Sequence, residues 1–150
     1  MVGEAGLSQE ERTLAAAAHG SIVISLATSG LGGIGAALVI WLTQKEKSAY
    51  AAFQALQATI YQTVAFVVSV AAWGCWGLAW MAMILPPVFA NPTMYKNNPP
   101  AGLWLGLVLM LVPIAVSTVS LLYGLWGAAR CLGGHDFRYI LIGRWLESHR

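Results

Sequence analysis

Charge is what this sequence has least of. Lys, Arg, Asp and Glu together make up 9% of its 150 residues, where soluble domains carry about 25%. Residues 48–90 and 97–129 contain no charged side chain at all. Each run is longer than the ~20 apolar residues that cross a bilayer, so a soluble globular domain is excluded. Acidic groups are equally scarce. Outside the N-terminal head and Glu147, only Glu46 and Asp136 remain, too few for the paired acid and base of an ordinary hydrolase. The basic residues are too sparse for a nucleic-acid surface. The two cysteines, Cys75 and Cys131, are expected at different depths, which argues against a disulfide framework. "MVGEAGLSQEER" lacks the basic start of a secretory signal. Phosphate loops, dinucleotide fingerprints, nucleophile elbows and zinc-protease motifs are all missing.

What is present is apolar and helical, with a mean hydropathy of +0.67. Ser8 and Glu11 have the spacing of a capping box, which predicts a helix from about residue 9. The first apolar run extends from 14 to 43. As one helix it would be about 45 Å long, too long for one untilted crossing and too short for two. Four glycines, Gly30, Gly32, Gly33 and Gly35, interrupt it in "SGLGGIG" (29–35). We expect a hinge there, with short helices at 9–28 and 33–45 forming a thin or re-entrant hairpin. A helix over 48–85 follows, and "PPVFANPTMYKNNPP" (86–100) is expected to be a loop because proline steps stop helices. The last span, 101–129, should kink at Pro113. The tail, 130–150, mixes Arg with aromatic and aliphatic residues and is expected to lie on the membrane surface.

Seven of the eight basic residues, all except Lys96, fall on one side if the first region is a hairpin. The positive-inside rule then places both termini and 44–48 in the cytoplasm.

Few residues offer chemistry. His19 is the ionisable group well inside an apolar stretch, and such groups are functional candidates. A neutral imidazole there suits an axial ligand of haem or chlorophyll, or a bond to a polar group on a neighbouring helix. Tyr50, Gln54, Gln57 and Tyr61 recur at helical spacing as one polar-aromatic stripe, and Gln62 follows. Gln54, Gln57, Tyr61 and Gln62 either line a polar path or hold helices together. The alanines at 51, 52, 55 and 58 permit close helix approach. The seven tryptophans suit aromatic belts. Cys131, His135 and Asp136 match no standard zinc spacing and read as a turn after the last helix.

"ERTLAAAAHGS" (11–21), "GGIGAALVIWLTQKEKS" (32–48), "FQALQATIYQ" (53–62) and "DFRYILIGRWLE" (136–147) occur in that order across nearly the whole chain. Together they resemble a bacterial membrane domain family of unknown function, grouped with the channel subunit of the chloroplast inner-envelope protein translocon. The resemblance implies a four-helix membrane fold with both termini on one side, and no enzyme activity.

The expectation is therefore an all-α membrane protein, a single domain over 1–150 with a Gly-bent N-terminal hairpin, two longer spans and an interfacial tail. It would sit in a bacterial inner membrane as a non-catalytic accessory subunit, in contact with lipids and other integral membrane subunits, without nucleic acid and without a required cofactor. The alternatives are a channel or protein-translocation component and a haem- or chlorophyll-ligating subunit using His19.

Overall fold

The computed structural model describes residues 6–92, 99, 101–140 and 142–147. The fold is all-α, and the described residues contain no strand. Among the described residues, seven helical segments build a four-helix membrane bundle: α1 (Gln9–Gly20), α2 (Ile22–Ala27), α3 (Leu31–Gln44), α4 (Ala49–Ala90), α5 (Ala101–Leu109), α6 (Leu111–Leu132) and α7 (Ile142–Glu147). α1 with α2, α3, α4, and α5 with α6 are the four limbs. The two longer limbs, Ala49–Ala90 and Ala101–Leu132, are long and apolar enough to cross a membrane. The chain divides into two compact units, Met1–Phe66 with Ser120–Arg150, and Val67–Val119.

In the first unit, α1 starts where the capping box requires. The Ser8 backbone N–H donates to Glu11 Oε2 at 2.8 Å, and the Glu11 N–H donates to Ser8 Oγ at 3.2 Å. Ser21 breaks the first limb into α1 and α2. Its hydroxyl donates to Ala18 O and, across the hairpin, to Gly33 O.

The bend itself is shorter than the glycine run. Within the run 29–35, Ser29 (φ 52°) and Gly30 (φ 96°) are the residues in the left-handed conformation, and the Gly30 N–H reaches back to Ser25 O at 2.8 Å. α3 already begins at Leu31, so Gly32, Gly33 and Gly35 are helical residues rather than hinge positions. Gly33 serves close approach instead. A Cβ there would run into Ser25 Oγ, Gln62 Oε1 and the Ser21 carbonyl. An alanine seam, Ala18, Ala37, Ala55 and Ala58, lets α1, α3 and α4 pack at short range.

α6 ends in a Schellman turn. Gly134 (φ 76°) is its left-handed residue, and the His135 N–H bonds back to Arg130 O at 3.1 Å. The chain then returns along α4. Phe137 and Tyr139 are buried while Asp136, Arg138 and Ile140 stay exposed. The tail expected on the membrane surface is thus, over 137–139, a strap in the core of this unit. Its alternating pattern is that of an extended segment, and the core it joins holds Ala15, Ala16, Tyr50, Ala128 and Cys131.

In the second unit, α4 runs through Pro86 and Pro87 to Ala90, so residues 86–90 are helix and not loop. The prolines remove two N–H donors near the end of the helix, where membrane helices tolerate the loss. Its last turn closes with the Asn91 N–H on Pro87 O at 3.0 Å. Gly102 lies against the Met83 carbonyl, which Pro87 leaves without its helical donor. Pro113 does not merely kink the last span. Lacking an N–H for the Leu109 carbonyl, it separates α5 from α6 at Met110. Trp76 donates its indole N–H to Gly106 O at 2.8 Å and stacks on Trp80 at 5.1 Å, and Trp73 donates to Ser117 Oγ at 3.3 Å. Lys96, expected in the loop opposite the other basic residues, lies outside the described residues.

Candidate functional site

The polar side chains singled out in the sequence gather in the first unit around His19. α1 presents His19 inward, where it is 0% exposed. Its Nε2 lies 3.1 Å from Gln54 Oε1 and its Nδ1 2.9 Å from Tyr139 Oη. The amide oxygen can only accept, so Nε2 carries the proton. Nδ1 is then an acceptor, and the Tyr139 hydroxyl donates to it. Burial raises the Tyr139 phenol above its ordinary pKa, which keeps it a donor.

Gln54 continues the chain of bonds. Its Nε2 donates to Asp136 Oδ1 at 2.8 Å, and Arg138 closes on Asp136 Oδ2 at 2.7 Å. A connected path therefore runs from the buried Tyr139 through His19 and Gln54 to an exposed ion pair. Gln57 clips the strap's backbone: it accepts from the Tyr139 N–H at 3.3 Å and donates to Phe137 O at 3.4 Å. Gln62 ties α4 to the hairpin, donating to Ala18 O and to Ser21 Oγ, each at 3.0 Å. Tyr61 donates to Ser120 O at 2.8 Å and lies flat on Tyr139, with ring centroids 4.1 Å apart. Tyr50 reaches His135 O at 3.1 Å. The stripe 50–54–57–61 thus meets α6 and the strap after it along its length, and Gln54 meets His19 of α1 as well.

Chemically, the arrangement holds parts together. Both His19 nitrogens are engaged within the chain, so an axial-ligand role requires one of those bonds to open. Phe137 adds its edge to the imidazole at 5.5 Å. Gln54, Gln57 and Gln62 are buried and bonded to protein groups. Among the described residues, no group of three His, Cys, Asp or Glu side chains is placed to hold a metal ion. Cys131 is buried and Cys75 exposed, both as free thiols.

The strap residues that complete this site read differently in the sequence: Asp136 as part of a turn, and Phe137 and Tyr139 as part of a surface tail. The available signal was the Phe137-x-Tyr139 alternation just after the Gly133-Gly134 turn, which has a strand's period of two. Ser21, the branch point between Ala18, Gly33 and Gln62, carried no signal beyond its place in the family-like opening.

The base of the unit is polar and one-sided. The Ser48 hydroxyl donates to Glu11 Oε1 at 2.7 Å, and the Arg12 guanidinium lies against Gly134. The start of α1, the start of α4 and the end of α6 therefore meet. The Ser48 bond, then those from Ser8, lower the Glu11 pKa from its ordinary value.

No curated protein and no solved structure matches the chain. The likeness to the chloroplast translocon subunit finds no support in the comparisons. A model of bacterial membrane proteins of a different description matches residues 10–146 and so takes in the hairpin, both long limbs, the strap and every residue of the His19 network. The chain belongs to the magnetosome magnetite crystal formation protein family.

Proposed function

We propose that this chain is a non-catalytic protein of the magnetosome membrane that acts in magnetite crystal formation as an accessory subunit among other integral membrane proteins. The observation that carries the reading is the family match over residues 10–146. The geometry supports a scaffold role: the buried polar groups of the His19 network are bound to one another and to the strap. The same bonding favours helix-holding over path-lining for Gln54, Gln57 and Gln62. We place both termini on the cytoplasmic side, because Arg12, Lys45, Lys47 and Arg130 belong to the unit in which the start of α1, the start of α4 and the end of α6 meet.

The test is deletion of the gene in a magnetite-forming bacterium and complementation with a tagged copy. Electron microscopy should show crystals altered in size or number and restored by the tagged protein, which should fractionate with the magnetosome membrane. Crystals unchanged by the deletion would overturn the proposal.

A further inference from the structure

The hairpin α1–α3 raises a question that the family match does not answer, namely what its outer surface touches. From Thr13 to Gln44 the chain carries no Asp, Glu, Lys or Arg. Val23, Ile24, Leu26, Leu31, Val39 and Leu42 are all exposed, Leu26 at 70% and Leu31 at 61%. The opposite, small-residue side packs on α4 through the alanine seam. An aqueous exterior does not fit this surface, and hydrocarbon does.

The turn at the tip is built for the same surroundings. In hydrocarbon every backbone polar group must find a partner inside the protein. Here Thr28 N–H and Gly30 N–H donate to Ser25 O, Leu31 N–H to Thr28 O, and Gly32 N–H to Thr28 Oγ1. The Gly30 carbonyl accepts from Ser25 Oγ at 3.1 Å. The Thr28 hydroxyl donates to Ile24 O at 2.7 Å. Four N–H groups and the Gly30 carbonyl of the turn are thus bonded within the protein.

Length decides how deep the tip goes. Lys45 and Lys47 are exposed at the base and suit the phosphate layer. At 1.5 Å per residue, α3 carries the chain about 21 Å from Lys45 to Leu31. A headgroup layer of about 5–7 Å per side lies outside a hydrocarbon core of ~30 Å. The tip therefore stops at about the bilayer midplane.

We infer that the α1–α3 hairpin is a one-leaflet wedge: its outer face contacts the acyl chains of the leaflet on the Lys45–Lys47 side, and the chain prefers membranes convex toward that side. Two helical limbs are added to that leaflet and none to the other, and a shape of this kind is accommodated at lower cost where headgroups are spread apart. Apolar insertion from one face is curvature-sensitive for the same reason.

Two measurements on the full-length protein test this. In a Cys75→Ser, Cys131→Ser background, a nitroxide at Ser29→Cys in phosphatidylethanolamine–phosphatidylglycerol vesicles should show oxygen accessibility typical of the bilayer centre and little access to a water-soluble nickel chelate. Strong chelate access, from either face, overturns the wedge, since the tip then either crosses or never enters. Protein reconstituted into a mixture of small and large vesicles of the same lipids should be enriched per lipid area on the small ones by roughly twofold or more. Leu26→Lys with Leu31→Lys should remove the enrichment while the protein stays membrane-bound through α4 to α6. Equal densities of the unaltered protein on small and large vesicles overturn the inference without bearing on the role in crystal formation.

Discussion

Replacing His19 by alanine removes a side chain that joins α1, α4 and the strap. The imidazole is fully buried and makes two hydrogen bonds, to Gln54 at 3.1 Å and Tyr139 at 2.9 Å. The variant leaves the Gln54 Oε1 and the Tyr139 hydroxyl buried without that partner. Each orphaned group costs roughly 1–3 kcal/mol, and the vacated ring space adds a cavity term, so His19→Ala should destabilise the fold by roughly 3–5 kcal/mol. A lone interhelical hydrogen bond in a membrane is worth only about 0.6 kcal/mol, so the two readings differ by several-fold. Tyr139→Phe removes one donor and should cost about 1–2 kcal/mol. In the double variant the losses should fall short of additivity by about 1 kcal/mol or more, because the two residues share a bond. The assay is reversible unfolding in mixed micelles, titrating a denaturing detergent against a mild one and following tryptophan fluorescence. A His19→Ala variant within about 0.5 kcal/mol of the unaltered protein would refute the network as the element that locks the strap.

Other expectations follow from single positions. Gly33→Ala should be strongly destabilising, because its Cβ would meet Ser25, Gln62 and the Ser21 carbonyl, whereas Gly35→Ala, with nothing within 4 Å, should gain up to about 1 kcal/mol in the same unfolding assay. Ser29→Gly should stabilise by up to about 1 kcal/mol, since the position is exposed and holds φ 52° without glycine's freedom. Ser8→Ala, which empties the capping box, should cost about 1 kcal/mol. Glu11 has its pKa held below the ordinary 4.5 by Ser48 and Ser8. Its contribution is therefore present above that value and lost as pH falls through the lowered one. The thermal midpoint should drop on acidification, and Glu11→Gln should flatten that acid limb.

The sequence made the helical, membrane-spanning character legible because hydrophobic runs without charge have few other solutions. The polar-aromatic stripe at 50, 54, 57 and 61 was equally legible, since a helix repeats every 3.6 residues and no competing pattern interrupts it. Its partner was not. Phe137 and Tyr139 are interleaved with Asp136 and Arg138 in the manner of an interfacial segment, and only the Schellman turn at Gly134 aims them back into the core. The glycine run misled for a local reason. Intrinsic cost disfavours glycine in a helix, but packing reverses the preference at Gly33, where only a residue without a Cβ fits beside Gln62 and the Ser21 carbonyl. Pro86 and Pro87 misled similarly, since a helix in a membrane can keep going past lost donors when neighbouring backbone packs close, as Gly102 does at Met83. His19 stood out as a candidate ligand because a sequence displays an ionisable group without displaying what saturates it. Gln54 lies 35 positions away and Tyr139 lies 120.

The accessory-subunit reading meets its most direct test in purification of tagged full-length protein from its native membrane in a gentle detergent, followed by native electrophoresis, mass spectrometry and an absorption spectrum. The account predicts a colourless preparation in which other integral membrane proteins of the magnetosome accompany the chain, and in which His19→Ala weakens the assembly without changing the spectrum. A free monomer, or a coloured protein whose absorption disappears in His19→Ala, would contradict it.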